Sequence, residues 1–426
     1  MVYKVNNSRK LKFLYLSSDK YPPFRVDVAV LFGKEFTKRG HHIHWILQSE
    51  GACKKGYSTF WNGSKVYVSP TDKRKNIIYR IKKYLLQTLY HFKMFGLIKK
   101  NNYDFIQVKD LFFAAVLAAM ISKIKKIKFF YWLSFPIPEA YIYQYRESKY
   151  FRIFQISGLW FRFLLYKIIL PTADHVFAQS EQMKLDLISK GVAEKKITPV
   201  PMGIETDNQE FNDKASEILD LGPEKKLLYL GTMAKSRKLD FIFRVLKEVL
   251  KEGLPCKLYM VGDSKNYREF NWLKSKAEEI GLKNEVVFTG NLPRKKAFEY
   301  VNAADVCLSP FVPIAILNST SPTKLIEYLY MGKATVANDH PEQCRVLEES
   351  QGGICVPYDE KAFAKAIITL LKDAKLARKM GQNGRKYVIK NRSYHIIADN
   401  LESKYQEILK KIIPFQPSGK KNGLKK

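Results

Sequence analysis

Residues 12–48 read KFLYLSSDKYPPFRVDVAVLFGKEFTKRGHHIHWILQ and contain the pattern of a strand, a helix and a second strand. The run KFLYLSS (12–18) is apolar and rich in β-formers, which predicts a buried parallel strand. VAVLFGKEFTKRG (28–40) has helical spacing of its apolar residues and ends at Gly40, a helix-terminating signal. HIHWILQ (42–48) predicts the next strand. Such a β–α–β unit indicates a parallel sheet with a right-handed crossover.

Strands and helices continue to alternate along the rest of the chain. Further strands are predicted, each separated from the next by a helix, at 105–108, 128–134, 175–180, 226–232, 256–263, 285–290 and 306–310. Pro199 and Pro201 interrupt this alternation, and the composition turns polar after them. The pattern therefore predicts two tandem, Rossmann-like, doubly wound α/β domains that face each other across a cleft.

The predicted domains are residues 1–204 and 205–395. An amphipathic helix at about 396–413 is expected to pack back on the first domain. The last residues, 414–426, are rich in Pro, Gly and Lys and are expected to form a basic disordered tail. In sheets of this class, ligands bind at the carboxyl ends of the strands, which places the expected site in the cleft.

Composition excludes a fibrous or wholly disordered chain and points to an anionic partner. The 426 residues are 46% hydrophobic and 27% charged, with a formal net charge of +32. That excess of positive charge suits nucleic acid, an anionic membrane or phosphorylated substrates. Five cysteines without a CxxC pair argue against a disulfide framework and favour a reducing compartment. No stretch of about 18 uncharged apolar residues is present, so we expect no transmembrane helix and a cytoplasmic location.

Two segments combine basic and apolar residues. Residues 73–100 hold nine Lys or Arg and no acidic residue, and residues 151–170 combine Arg152, Arg162 and Lys167 with Trp160 and several phenylalanines. Lys and Arg at a bilayer surface meet lipid phosphates while aromatic rings enter the headgroup boundary. We expect these segments to bind an anionic membrane; two core helices with solvated basic edges are the alternative. No nucleic-acid recognition motif is present, and no nucleic-acid partner is expected.

The segment SPTKLIE (321–327) predicts an anion site at the start of a helix. Ser321 and Pro322 have the types expected for the N-cap and the first helical position. The amides of Thr323 and Lys324 would then face a bound diphosphate, which the helix dipole also favours. Glu327 lies on the same helix face, one turn later. A carboxylate at that place can accept hydrogen bonds from ribose hydroxyls.

A second anion feature follows the first strand of the second domain. In LGTMAKSRKLD (230–240) the strand ends at Gly231, and the loop after it carries Lys235, Arg237 and Lys238. Cations at this place can neutralise a departing diphosphate.

Taken in order, these motifs resemble those of the GT-B glycosyltransferases of retaining family 4, over nearly the whole chain. KRGHHIHW is similar to the family's RGH-x-V, and the loop from Gly231 to its G-R-L-x-x-x-K-G. Further similar motifs are ADHVFAQSE (173–181), ITPVPMGIE (197–205), NAADVCLSP (302–310), SPTKLIEYLYMGKATVA (321–337) and GGICVPYD (352–359). The resemblance implies transfer of a sugar from a nucleotide-diphosphate sugar with retention of configuration, without a metal or other cofactor. It also implies that the donor binds the second domain and the acceptor the first.

Matching the motifs residue by residue gives the candidate site. The donor-binding candidates are Glu327, Lys324, Thr323, Ser319, Gly231 and Gly203, and the catalytic candidates are Arg237, Lys238, Glu139 and Ser134. Arg237 takes the place of the family's phosphate-binding Lys, and Glu327 that of the second Glu of E-x7-E.

Four positions depart from the family pattern. The first Glu of E-x7-E is Ser319, and the Arg that usually follows the strand glycine is Thr232. The first-domain glycine pair is Arg25-Val26, and the first-domain His is Ser134.

We therefore expect a cytoplasmic glycosyltransferase on the inner face of the cell membrane, acting on a lipid-linked or glycan acceptor. Two alternatives stay open: a catalytically degenerate binding or scaffold subunit, which the departures favour, and a nucleotide-sugar epimerase of the same fold. Neither the nucleotide base nor the sugar follows from the motifs.

Overall fold

The structure, a computed structural model, describes residues 9–71, 77–143, 151–207, 219, 221–264 and 266–410. These residues form two α/β domains, each built on its own sheet. The predicted tail at 414–426 lies outside the described residues, as do positions 73–76 of the first basic segment and 411–413 of the last helix.

The first domain contains an eight-stranded sheet in the order β3-β4-β2-β1-β5-β6-β7-β8, in which β3 runs antiparallel to β4 and the other pairings are parallel. Its strands are β1 (Lys12–Tyr21), β2 (His42–Ser49), β3 (Tyr57–Trp61), β4 (Ser64–Ser69), β5 (Phe105–Lys109), β6 (Lys128–Leu133), β7 (His175–Ala178) and β8 (Ile197–Pro199). Its helices are α1 (Val26–Ala29), α2 (Ile77–His91), α3 (Lys93–Lys100), α4 (Phe112–Lys125), α5 (Ile137–Tyr143), α6 (Phe151–Phe163), α7 (Leu170–Thr172) and α8 (Glu181–Ser189). π-helical stretches continue α1 (Leu31–Phe36) and join α6 to α7 (Leu164–Ile169).

The second domain contains a six-stranded parallel sheet in the order β11-β10-β9-β12-β13-β14. Its strands are β9 (Lys225–Leu230), β10 (Cys256–Val261), β11 (Val286–Gly290), β12 (Val306–Ser309), β13 (Thr335–Asn338) and β14 (Gly353–Val356). The helices of this half are α9 (Asp240–Lys251), α10 (Tyr267–Glu279), α11 (Arg294–Ala303), α12 (Ala315–Asn318), α13 (Thr323–Tyr330), α14 (Pro341–Ser350), α15 (Glu360–Lys372), α16 (Ala374–Asn391) and α17 (Tyr394–Lys410). Two doubly wound parallel-sheet domains are thus confirmed.

The first domain differs from its predicted pattern in two places. The predicted helix at 28–40 is a short α-helix followed by a π-helical stretch. A β3–β4 hairpin extends the sheet edge, and its turn residues Asn62 and Gly63 both have positive φ, at 45° and 74°. Such a turn matches the twist of a two-residue hairpin.

Cys344 and Cys355 form a disulfide, with Cα atoms 5.5 Å apart. This pairing corrects the expectation of unpaired cysteines. The bond joins α14 to the neighbouring strand β14, so the two sulfurs meet through tertiary packing. Their spacing of 11 residues forms no sequence motif.

One described helix, Arg152–Thr172, is long and apolar enough to cross a membrane by length and composition alone. The count of uncharged residues had led us to expect no such helix, because Arg162 and Lys167 interrupt the apolar run. Only 28% of its apolar window is buried. The buried part is the C-terminal half, where Leu165 and Ile169 enter the first-domain core.

Helix α17 belongs to the first domain by its packing, although it follows the second domain in sequence. Tyr405 is fully buried, with its ring 4.8 Å from that of Phe105 and 5.6 Å from that of Phe130. Its hydroxyl donates to the side-chain oxygen of Gln107 on β5. The chain therefore crosses between the domains twice, and α17 closes the first-domain core.

Replacing Tyr405 with Ala should destabilise the first domain by about 3–5 kcal/mol, since a large aromatic ring leaves a closed core. Tyr405→Phe is the matched control: it keeps the ring and loses one hydrogen bond, worth about 1 kcal/mol. Urea unfolding of both variants measures the difference. Equal losses for Ala and Phe would contradict the packing role of α17.

Candidate functional site

The start of α13 lies at the topological switch point of the second sheet. β9 has β10 on one side and β12 on the other, so the connections leave it in opposite directions. Ligands bind doubly wound sheets at this point, beyond the carboxyl ends of the strands. Helix α13 is held there by Tyr328, whose hydroxyl accepts a hydrogen bond from the Leu230 amide at 2.6 Å.

The first amides of α13 have no capping side chain. The N-cap is Pro322, and no side-chain hydrogen bond caps the helix. The prediction of Ser321 as N-cap is therefore wrong: its hydroxyl oxygen instead accepts a hydrogen bond from the Met202 amide at 3.0 Å. The first four amides of a helix lack intrahelical partners, so those of Thr323 and Lys324 remain available to an anion.

Lys324 places an amine beside this helix start, and no hydrogen-bond partner for it occurs among the described residues. Its side chain is buried, and Nζ lies 4.0 Å from the ring centre of Tyr229 and 5.2 Å from that of Phe311. The Arg237 guanidinium lies 5.9 Å from the same Phe311 ring. Burial lowers the pKa of Lys324 well below its usual value, and the charge of Arg237 lowers it further, against the opposing charge of Glu327.

Glu327 provides a carboxylate at the edge of the same cluster. Its side chain is 23% exposed, and Oε1 lies 3.7 Å from the Arg294 guanidinium. Burial raises the pKa of Glu327, although the charges of Arg294 and Lys324 oppose that rise. The carboxylate therefore keeps acceptor capacity toward a ligand that enters from solvent.

Glycines allow the strand ends to approach each other below this cluster. Gly231 has a φ of 142° and Gly262 a φ of 131°, and a Cβ on Gly262 would lie 2.2 Å from the Gly231 carbonyl oxygen. Lys238 is exposed, with a left-handed backbone. Among the described residues, no side-chain contact joins it to Lys324 or Arg237.

On the first domain, Ser134 is part of a buried ionic network at the ends of β1, β5 and β6. Its amide donates to Asp110 Oδ1 at 2.9 Å, its hydroxyl donates to the other oxygen, and Arg25 donates to its hydroxyl at 3.3 Å. Arg25 also pairs with Asp27, which Lys109 contacts at 2.6 Å. Sequence reasoning missed Asp27 and Lys109, because a buried ion pair between distant elements leaves no local signal.

Glu139 lies on α5, and within the part of the chain that the structure describes one of its oxygens has hydrogen-bond partners and the other has none. Tyr166 donates to its Oε1 at 3.0 Å and Lys190 at 2.9 Å, whereas Oε2 is buried without a hydrogen bond. The pKa of Tyr166 is raised by burial, then by Glu139 and also by Asp186.

Ser319 and Gly203 lie at contacts between the domains. The Ser319 hydroxyl donates to Asp186 of α8, and its carbonyl accepts from Ser180 at 2.7 Å. A Cβ on Gly203 would lie 2.5 Å from the Arg392 carbonyl oxygen, so a glycine lets the two crossing segments touch. Both positions join the domains in this structure.

Tyr394 connects the two clusters electrostatically. Burial raises the pKa of this tyrosine most; Asp27 raises it further, Arg25 lowers it, and Glu327 raises it. Its hydroxyl therefore lies within electrostatic range of the first-domain network and of the second-domain carboxylate.

Comparison with known families assigns both domains. Residues 27–208 match the model described as Glycosyltransferase Family 4, and residues 224–373 match that described as Glycosyl transferases group 1. Together the matches cover more than three quarters of the chain.

The chain belongs to the group 1, family 4 glycosyltransferases.

Curated relatives of this family 4 chain align with it over only part of their own length. It is 24% identical over 291 residues to the alpha-monoglucosyldiacylglycerol synthase of Streptococcus pneumoniae, covering 66% of this chain and 61% of that one. It is 24% identical over 264 residues to the capsular polysaccharide biosynthesis glycosyltransferase CapM of Staphylococcus aureus, covering 58% and 65%. The chain thus spans less than two thirds of the length of these relatives.

Solved structures with the same fold cover almost the whole chain. Sucrose-phosphate synthase from Thermosynechococcus elongatus has a TM-score of 0.70 at 16% identity, covering 94% of this chain and 100% of its own. Anabaena Alr3699/HepE in complex with UDP-glucose has a TM-score of 0.66 at 15% identity, covering 93% and 100%. These similarities confirm the GT-B fold of the family 4 chain.

Lys324→Met should raise the free energy of unfolding of the ligand-free family 4 chain at pH 7. A lysine pKa that is lowered on folding means that the unfolded chain binds more protons, so the wild type loses stability as pH falls from the ordinary lysine range, about 10.4. The gain in the Met variant should therefore shrink as pH rises toward 10. Urea unfolding between pH 7 and 10 measures it.

The matched control for that experiment is Lys247→Met at an exposed position of α9. It also removes one lysine. Its effect on the free energy of unfolding should stay the same between pH 7 and 10. A Lys324→Met variant that is less stable than wild type by the same amount at every pH would contradict the desolvated state of this amine.

Proposed function

We propose that this protein transfers a sugar from a nucleotide-diphosphate sugar to a lipid-linked or glycan acceptor at a membrane, with retention of configuration. The observation that carries the proposal is the cluster at the start of α13, where Lys324 and Arg237 lie beside uncapped amides and Glu327. This arrangement has positive charge and donors for a diphosphate, and an acceptor for ribose hydroxyls.

The same cluster suits the chemical step. Breaking the bond between sugar and phosphate leaves negative charge on the diphosphate oxygens, and fixed donors at that place stabilise the developing charge. Arg237, Lys324 and the first amides of α13 have that role in the proposal, which assigns no step to a metal ion. In front-face displacement, the acceptor hydroxyl attacks from the side of the leaving group, and its proton passes to the departing phosphate oxygen.

The acceptor would bind the first domain, across the cleft. Glu139 supports this part of the proposal because its Oε2 is buried without a hydrogen-bond partner, while Tyr166 and Lys190 hold the other oxygen. Such an oxygen can accept a hydrogen bond from a sugar hydroxyl and orient it. Ser134 and Arg25 line the strand ends nearby, where the family has a histidine and paired glycines.

An exposed apolar surface on the first domain supports action at a membrane. Helix α6 packs against α4 through Phe161 and Phe112, whose rings stack at 4.7 Å. We call the exposed apolar side chains of these two helices the apolar face: Phe113, Met120, Ile124, Ile153, Ile156, Leu159, Trp160 and Phe163. Exposed cations flank this face: Lys123, Lys125, Lys126, Arg152, Arg162 and Lys167.

The geometry of α6 favours lying on a bilayer over crossing it. The helix continues through Leu165 and Ile169 into the first-domain core, so a crossing would pull the core apart. No acidic residue occurs in 112–126 or 151–170. Aromatic and aliphatic side chains would enter the headgroup boundary, and the flanking cations would contact anionic lipids.

Relatives with lipid and glycan products support the acceptor class. One of them is named alpha-monoglucosyldiacylglycerol synthase, and another is named a capsular polysaccharide biosynthesis glycosyltransferase. In the proposal, the protein acts from the cytoplasmic side of the cell membrane, where nucleotide sugars are made available to peripheral enzymes. A degenerate scaffold is the competing function, since Ser319 contacts Asp186 where the family has a glutamate.

Glu327→Ala and Arg237→Ala should each weaken binding of the preferred nucleotide by tenfold or more, about 1.4 kcal/mol. Each removes one charged ligand contact from the cluster. Calorimetric titration with UDP, GDP and ADP measures the loss and identifies the base. Glu278→Ala, at an exposed position of α10, is the control for loss of a carboxylate and should bind as wild type does.

Nucleotide binding by wild type without any sugar transfer to membrane lipid or glycan extracts would favour the scaffold. Release of an altered free nucleotide sugar would favour the epimerase. If both Ala variants bind nucleotide as tightly as wild type does, the donor site does not lie at the start of α13.

The double change Ile156→Glu and Trp160→Glu should abolish sedimentation with phosphatidylglycerol vesicles while nucleotide binding stays intact. Both side chains are more than half exposed, so the charges replace apolar groups without disturbing the core. Tyr267→Glu is the control, since this residue is 75% exposed on the second domain. Equal vesicle binding by the double variant and wild type would exclude the apolar face as the membrane contact.

A further inference from the structure

Among the described residues, no anion forms a hydrogen bond or an ion pair with the amine of Lys324. The residue is only 8% exposed. A Cβ on Gly231 would lie 3.7 Å from Nζ, so the amine faces the loop that follows β9. Burying a charged group without a hydrogen-bonded partner is costly, and such groups lose their charge instead.

The charged groups around this amine already carry a net positive charge without it. Arg237 approaches from the loop after β9, and Glu327 from the next turn of α13. Glu327 is already paired with Arg294 of α11 at 3.7 Å. The remaining neighbours are the aromatic rings of Tyr229 and Phe311. A proton on Lys324 would therefore add an uncompensated positive charge to a site that already holds Arg237.

A bound diphosphate reverses this balance. It brings negative charge and several strong acceptor oxygens to the start of α13, and an ammonium ion there can make charge-assisted hydrogen bonds. We propose that Lys324 is neutral in the empty site and takes up one proton from solvent when a nucleoside diphosphate binds. This inference rests on the proposed function of the same site and adds that donor binding is coupled to protonation.

The coupling has a direction that can be measured. If binding takes up one proton at Lys324, affinity falls as pH rises through the range between the pKa of the free and of the bound state, by up to tenfold per pH unit. Terminal phosphates have their own pKa near 6, so their titration is nearly complete at pH 8. A fall in affinity between pH 8 and 9 therefore does not come from the phosphates.

The experiment is calorimetric titration of the full chain with UDP, GDP and ADP at pH 8, in two buffers with different heats of ionisation. The difference in observed heat gives the number of protons exchanged for each nucleotide that binds. We expect uptake of about one proton by wild type and none by Lys324→Met, with affinity at least tenfold lower in that variant. The control variant Lys247→Met should take up as many protons per bound nucleotide as wild type does.

Lys324→Arg extends the test, because arginine keeps its charge throughout this pH range. It should bind nucleotide without proton uptake and without the fall in affinity between pH 8 and 9. If Lys324→Met binds too weakly for calorimetry, the Lys324→Arg variant shows whether the proton is taken up at this residue. Wild-type binding without uptake, or equal uptake in a Lys324 variant, would overturn the proton coupling and leave the donor site in place. Absence of binding by all three nucleotides would overturn the proposed function together with the coupling.

Discussion

The second-domain site depends on one electrostatic constraint: groups that can bind an anion converge at the start of α13 without a fixed anion to match them. Arg237, Lys324 and the uncapped amides of the helix converge there, while the nearby carboxylate Glu327 already pairs with Arg294. Such a site is costly when empty and gains most from a dianionic ligand. The rest of the domain holds this arrangement in position: Tyr328 fixes α13 to β9, and the glycines at the strand ends leave room for the loop.

The first domain carries a different kind of charged cluster at its strand ends. Its strand ends carry the network of Arg25, Asp27 and Lys109, in which charges are paired and buried. Pairing of this kind fixes side-chain geometry more than it attracts a ligand. In the proposed function, the unpaired Oε2 of Glu139 binds the acceptor, and the apolar face on α4 and α6 binds the membrane. Helix α17 follows the second domain in sequence and packs into the core of the first domain, so it connects the two.

Much of the fold follows from the sequence because buried parallel strands are short apolar runs that are easily recognised. β1, β5 and β6 are strands of this kind, and the restart at β9 marks the second domain. The β3–β4 hairpin was missed, although Asn62-Gly63 is a strong hairpin signal. The crossover between the domains is visible as a break at Pro199, whereas the return of α17 to the first core depends on the spacing of its apolar residues.

The site was less predictable where a residue has a choice of partners. Ser321 has the sequence of an N-cap, yet Met202 from the first half of the chain donates to its hydroxyl instead. Glu327 and Lys324 were found from helix spacing, but the burial of the Lys324 amine depends on Tyr229 and Phe311, which are distant in sequence. The Cys344–Cys355 bond is likewise a product of tertiary packing.

Hydrogen–deuterium exchange with and without nucleotide tests the central claim most directly. UDP, GDP and ADP are added at concentrations on the order of 1 mM, at the upper end of typical KM values. The account predicts that the nucleotide that binds slows exchange most at 231–239 and 323–328, the loop after β9 and the first turns of α13. Slowing confined to the first domain, or no slowing by any of the three nucleotides, would contradict it.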